Sequence, residues 1–297
     1  MRRALSNVRW GWFCLSALSF LVYQGFRTQR TNMILKTGIP FNRIYPTFCF
    51  QSFINMILPM WLGEAVLIYL LRKIHAVNLR SGVASQIYLR SIDFFLFAVS
   101  MPLLVIFCHH SLPSKLNYSL SLLAAVFSVP LILLSIFSRR SASGRDFNLR
   151  LNSRLAKHVE HHLREFKVAF RMFANKRSVL RTAAYSIIMW VFSYLHNVFA
   201  IWALGFNLSA GDVLKLFVLL FPVLLVPVKG VADLGTLEGS WFLCLRIIGL
   251  GAAEATLVGF GTHVIFMLVY ILSFIVGLIG FAILALDHSI NKVAARS

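Results

Sequence analysis

Three acidic side chains stand where carboxylates are costly. Glu64 lies in INMILPMWLGEA, residues 54–65, and Asp233 and Glu238 lie in LFPVLLVPVKGVADLGTLEGS, residues 220–240. Both stretches interrupt apolar runs and set helix-breaking residues beside an acid. Pro59 and Gly63 do so in the first, and Pro222, Pro227, Gly230, Gly235 and Gly239 in the second. A charge at bilayer depth costs between about 2.5 and 17 kcal/mol. Non-helical backbone there is tolerated only inside protein or beside a water-filled cavity. Such carboxylates are therefore expected to face a shared polar pocket, where they contact a polar headgroup or protons.

Other reactive residue types carry less. Cys14, Cys49, Cys108 and Cys244 all sit in apolar runs without metal-ligand spacing, and read as small buried hydrophobes. His158, Glu160, His161 and His162 (HVEHH) put two imidazoles on one helix face but form no HExxH pattern, so a solvated face is expected. His109 and His110, in a short polar turn, read the same way. Gly239-Ser240 lacks the surroundings of an intramembrane serine protease. No metal, cofactor or catalytic residue is expected.

The elements that position these acids follow from the solvent. The 297 residues are 59% hydrophobic and 13% charged, with mean hydropathy +0.77, against about 25% charge in a soluble domain. An all-α, polytopic transmembrane bundle is expected, forming one integral membrane domain over residues 1–297. The expected crossings are Trp10–Phe26, Tyr45–Leu71, Ile92–Cys108, Leu116–Phe137, Leu180–Leu204, Val213–Val228, Val231–Leu250 and a run from about Ala253 to Ala285. Two of these eight are interrupted by proline and glycine. The basic, apolar N-terminus is read as a retained first helix because no A-x-A cleavage site follows its long apolar run.

Residues 139–181 hold 12 of the 29 Lys and Arg residues, which places this connector in the cytoplasm and, by parity, both termini with it. Arg27, Arg30, Lys36 and Arg43 fall on the wrong side in that count. Within the connector, Leu151, Leu155, Val159, Leu163, Phe166, Phe170 and Phe173 recur at helical spacing. This pattern suits either an amphipathic helix on an anionic leaflet or a connector packed on the bundle. Sidedness and anionic lipid account for the net charge of +19 without a nucleic-acid partner.

The run Ile44–Leu71, about 28 residues, would extend roughly 42 Å as one helix, against a hydrocarbon core of about 30 Å. Pro59 removes an amide donor and clashes with the preceding turn. The economical reading is a broken helix whose second half begins near Trp61–Gly63, with Glu64 in its first turn beside the positive end of the dipole. Interrupted segments in each half of a chain are a sequence pointer to a transporter's midplane site.

Asn55, Pro59, Gly63 and Glu64 resemble the N-x-x-x-P-x-R-x-G-E element of the lysylphosphatidylglycerol synthase transmembrane-region family. Residues 30–39, RTNMILKTGI, resemble the elbow before that element. Arg90 and Asp93 resemble its R-x-x-D element, and Gly235 and Glu238 its G-x-x-E element. Trp61 stands where the first element usually has arginine, Leu237 where a basic residue often precedes the second glutamate, and Ala232-Asp233 where a glycine pair is usual. Lys229, Arg246 and Arg72 are the basic residues left to substitute. The resemblance implies a bundle of about eight helices in a bacterial cytoplasmic membrane. It would handle an anionic phospholipid or polyprenyl-phosphate lipid, with a lipid-modifying enzyme as a possible partner. Asn55, Pro59, Gly63, Glu64, Arg90, Asp93, Pro227, Gly230, Asp233, Gly235 and Glu238 would line or shape the cavity. These residues leave no room for a soluble aminoacyl-transferring domain, so lysyl transfer by this chain alone is not expected. The competing readings are a transferase acting on a polyprenyl-phosphate-linked glycolipid, disfavoured by the lack of a D-x-D motif or phosphate loop, and an accessory subunit of a lipid-modifying complex.

Overall fold

The computed structural model describes residues 8–59, 62–108, 176–225 and 230–294. Among these residues every regular element is helical. Helix α1 (Trp10–Leu35) ends at Lys36, whose left-handed backbone returns its N–H to the Asn32 carbonyl. Asn32 then holds the elbow. Its side-chain amide donates to the Ile39 carbonyl at 2.8 Å and its oxygen accepts the Thr37 hydroxyl at 2.6 Å. Pro40 opens α2 (Phe41–Ile57). Leu58 is extended, with ψ 136°, as the ring of the following proline demands. The chain restarts as α3 at Leu62 and runs to His75, so Glu64 stands in its first turn.

Helices α4 (Leu79–Cys108), α5 (Lys176–Ala203) and α6 (Ala210–Leu225) follow. A single 3-10 turn, Val231–Asp233, leads into α7 (Thr236–Ile247) and α8 (Ala252–Ala294). The expected crossing Leu116–Phe137, the connector between 139 and 175 with its histidines, and Pro227 lie outside the described residues.

Three expectations are corrected. The first helix does not stop at Phe26 but continues to Leu35, because Arg27 and Arg30 find buried partners and Thr28 and Thr31 bond back to the carbonyls of Gln24 and Arg27. Pro222 lies within α6 rather than breaking it. Val231–Leu250 is not one crossing. Ala232, Asp233 and Gly235 all have positive φ, which stops helix growth, and the 12 residues of α7 cover only roughly 18 Å.

Packing departs from that of a water-soluble core in the polar groups it buries and the aliphatic groups it exposes. Along α1, Ser16, Gln24, Thr28, Arg30 and Thr31 are buried. On α8, Leu268, Ile271, Ile275, Ile279 and Ile283 are exposed. Polar groups turn inward and aliphatic groups outward when the surrounding solvent is hydrocarbon. Two described helical stretches, Arg177–Ala203 and Ala252–Leu286, are long and apolar enough to cross a membrane, with mean hydropathy 1.4 and 2.7.

Helix α1 packs chiefly on α5, clasped by the Ser16 hydroxyl 2.8 Å from His196 Nδ1. Helix α8 packs on α2 through two glycines. A Cβ on Gly277 would meet the Phe50 nitrogen at 2.8 Å and the Pro46 carbonyl at 2.9 Å, and one on Gly280 would meet Pro46 Cβ at 2.8 Å. Small residues at a crossing let two membrane helices approach backbone to backbone.

Candidate functional site

The fold-back at Pro59 brings α3 against α2 at Asn55 and Gly63. A Cβ on Gly63 would lie 2.5 Å from Asn55 Cα, so only glycine fits. The Gly63 carbonyl accepts the Gln51 side-chain amide at 2.7 Å. Glu64, the next residue, is thereby aimed at α1 and α4.

A layered charge cluster surrounds it. Arg90 of α4 donates through Nη2 to Glu64 Oε1. Arg27 of α1 lies 3.5 Å from the same oxygen and donates to Gln51 at 3.0 Å and Gln24 at 3.4 Å. Its guanidinium also stands over the Phe48 ring, 5.5 Å from the centroid. One turn along α1, Arg30 grips Asp93 with both terminal nitrogens, at 2.5 and 3.1 Å, and donates to Ser186 of α5 at 2.6 Å. The planar guanidinium matches a carboxylate in this two-point geometry.

Arg27, Arg30 and Arg90 thus face Glu64 and Asp93, three cations against two anions. Three polar atoms in the cluster are left over, Arg30 Nε among them. Glu64 Oε2 and Gln24 Nε2 are buried without a protein partner among the described residues. Arg27 reaches both of their side chains, so an open acceptor and an open donor flank one guanidinium. This arrangement can hold a group carrying both an anionic oxygen and a hydrogen-bond donor.

The second acid is built differently. Gly259 and His263, one turn apart on α8, face the start of α7. A Cβ on Gly259 would sit 3.4 Å from the Glu238 carbonyl, and His263 Nδ1 lies 2.5 Å from Glu238 Oε1. The other carboxylate oxygen accepts the Gly235 N–H at 2.7 Å, capping α7. Thr236 closes the turn by donating to the Asp233 carbonyl at 3.1 Å. Trp241, Val258 and Ala255 form the apolar wall nearby.

The structure therefore brings Asn55, Gly63, Glu64, Arg90 and Asp93 together. It assembles Gly230, Asp233, Gly235 and Glu238 as a separate group, with the break at Pro59 shaping the first. The two glutamates share no partner among the described residues. Two links remain. The 3-10 turn packs on α2, and Tyr270 of α8 lies within electrostatic reach of Asp233, Tyr23 and Arg27. Arg72 is exposed at the end of α3 and Arg246 donates to the Leu250 carbonyl at 2.7 Å, so neither substitutes for the missing motif arginine. Lys229 lies outside the described residues, and Arg27 and Arg90 are the basic residues beside Glu64.

Sequence reading missed Arg27, Arg30, Gln24, Gln51 and His263. Their spacing alone does not reveal their partners. Gln24, Arg27 and Arg30 recur every third residue, and His263 is a lone imidazole in an apolar run. Among the described residues, no three of His, Cys, Asp and Glu gather as metal ligands.

The family model described as "Lysylphosphatidylglycerol synthase TM region" matches residues 1–285. No curated protein and no solved structure matches the chain. With nearly its whole length covered and its motif residues meeting in space, the chain belongs to the lysylphosphatidylglycerol synthase transmembrane-region family and is a membrane protein.

Proposed function

We propose that this protein binds a polar lipid by its headgroup at the Glu64 cluster and moves it between leaflets of a bacterial cytoplasmic membrane. One observation carries the reading. Among the described residues, a cluster with an excess arginine, buried except at Arg90, leaves Glu64 Oε2, Gln24 Nε2 and Arg30 Nε without a protein partner, beside a helix break. A structural ion-pair network closes on itself, whereas this one offers, among the described residues, a surplus cation, one unmatched acceptor and two unmatched donors. Anionic phospholipid and polyprenyl-phosphate lipid both present the phosphate oxygens that arginine recognises. The proposal keeps both termini cytoplasmic, supported by the basic segment at 139–181. About eight membrane segments, α3 and α7 being short half-crossings, complete the proposed bundle.

Glu64→Gln tests it. The amide keeps the shape but removes the charge that balances Arg27 and Arg90. Transfer of a fluorescent phosphatidylglycerol reporter in proteoliposomes should fall by at least about tenfold, with folding intact, as expected for losing one partner of a buried charge pair. Transfer at the native rate would remove Glu64 from the mechanism.

A further inference from the structure

Glu238 and His263 are 4% and 3% exposed, and both oxygens of the carboxylate are taken, by Gly235 N–H and by the ring. His263 Nδ1 is accordingly the donor to Oε1. The other ring nitrogen, Nε2, is buried with no protein partner among the described residues. In this tautomer the neutral ring offers a lone pair at Nε2, and the pair carries one net negative charge. A proton taken from water at Nε2 makes the ring an imidazolium and the pair neutral overall. Uptake of one proton therefore removes a buried net charge, which a low-dielectric interior penalises.

We propose that Glu238 and His263 form a binding site for a single proton, loaded at His263 Nε2, and that loading is coupled to lipid movement. Among the described residues, no fixed cation bonds the pair. On α6, Lys215 and Asp212 neutralise each other at 2.9 Å. On α5, His196 is committed to Ser16, and Tyr194 to the Ala210 carbonyl. On α7, Arg246 is turned to the far end, and on α8 Glu254 faces the Gly251 N–H. On α2, the Tyr45 hydroxyl donates to the Leu21 carbonyl. None of these bonds either member of the pair, so among the described residues only proton uptake changes its charge. The route to the Glu64 cluster is structural. α7 begins directly after the Asp233 turn, and α8 carries both His263 and Tyr270, which lies within electrostatic reach of Asp233 and Arg27.

The coupling rests on the lipid-translocation reading, whereas proton binding stands without it, and the test separates them. In nanodiscs, nitrogen-15 spectra of labelled histidine, assigned with His263→Gln, should show the ring taking up one proton between about pH 5 and 9. In Glu238→Gln the ring should stay neutral across that range, and Glu238→Asp should restore the step. A ring with one protonation state throughout, or one that titrates unchanged in Glu238→Gln, overturns the proton site. In proteoliposomes, an imposed pH gradient should change wild-type phosphatidylglycerol flux at least about fivefold and leave His263→Gln flux unaltered. Wild-type flux indifferent to the gradient overturns the coupling. A titrating ring in a protein that moves no lipid upholds the proton site and refutes the lipid reading instead.

Discussion

Replacing Gly63 with alanine discriminates between two pictures of the break because they differ in sign. In a helix free of neighbours, alanine is favoured over glycine by up to about 1 kcal/mol. Against α2, the new methyl would sit 2.5 Å from both Asn55 Cα and Asn55 Cβ, where carbon atoms rest at about 3.5–4.0 Å. The α-carbon is backbone and no rotamer change removes it, so α3 must retreat by about 1 Å. Overpacking of this kind costs about 1–3 kcal/mol, which outweighs the propensity gain. The retreat also lengthens the 2.7 Å bond from Gln51 to the Gly63 carbonyl and draws Glu64 away from Arg27 and Arg90. Denaturant unfolding in detergent should therefore show a loss of about 1–2 kcal/mol, with lipid transfer falling in parallel. Asn55→Gly in the same chain should recover only part of the loss, since the new methyl still overlaps the main chain of α2. If Gly63→Ala unfolds at a higher denaturant concentration than the wild type and transports normally, α3 does not pack on Asn55 and the derivation of the site from the fold-back is wrong.

Other consequences are more local. Ala232 is left-handed, with φ 55° and ψ 27°, a conformation costing a non-glycine residue about 1–2 kcal/mol; Ala232→Gly should raise the unfolding free energy by about 1 kcal/mol, and a decrease would refute the turn geometry. Gly277→Ala should destabilise by about 1–3 kcal/mol because its methyl meets backbone of α2, while Gly239→Ala, with nothing within 4 Å, should be neutral or stabilising in the same unfolding assay. His75, beyond the Tyr45–Leu71 run and 2.8 Å from the Thr47 hydroxyl, is held below its ordinary value of 6.5 by burial. The unfolded chain therefore binds the proton first, and stability drops as pH falls through about 6.5 toward the lower folded value. A melting series should show that slope in the wild type and lose it in His75→Gln.

Much of the local architecture is legible in the sequence because it has local causes. Pro59 forces Leu58 into extended backbone, Gly63 permits the close return, and Glu64 then falls at a helix start. All three act within ten residues and do not depend on the rest of the chain. The partners of the acids are not legible, for the converse reason. Arg27 and Arg30 count in sequence as markers of membrane side, a rule that assumes basic residues lie in loops. Their burial inside a helix is decided by Glu64 and Asp93, far along the chain. His263 is hidden likewise, since a lone imidazole in an apolar run shows its meaning only when Glu238 arrives opposite. Val231–Leu250 has apolar content sufficient for one crossing, yet the departures to positive φ at Ala232, Asp233 and Gly235 cannot be seen in hydropathy.

The two glutamates look equivalent in sequence, each an acid beside glycine in an interrupted run, but their partners assign them different chemistry. Glu64 and Asp93 are paired with guanidinium groups, which do not release their protons in proteins, and Arg27, Arg30 and Arg90 outnumber these two carboxylates by one. That is a property of a site that holds an anionic group. Glu238 has instead a single side-chain partner, an imidazole that can take up a proton, together with a backbone N–H that cannot titrate. That is a property of a site that changes state. The strained turn at Ala232 and Asp233 lies between them, packed on α2 and joined directly to α7. In the proposed coupling, a fixed charge on one side and a variable charge on the other are connected through a short segment already held out of its preferred backbone region, by which proton occupancy at one break would bias geometry at the other.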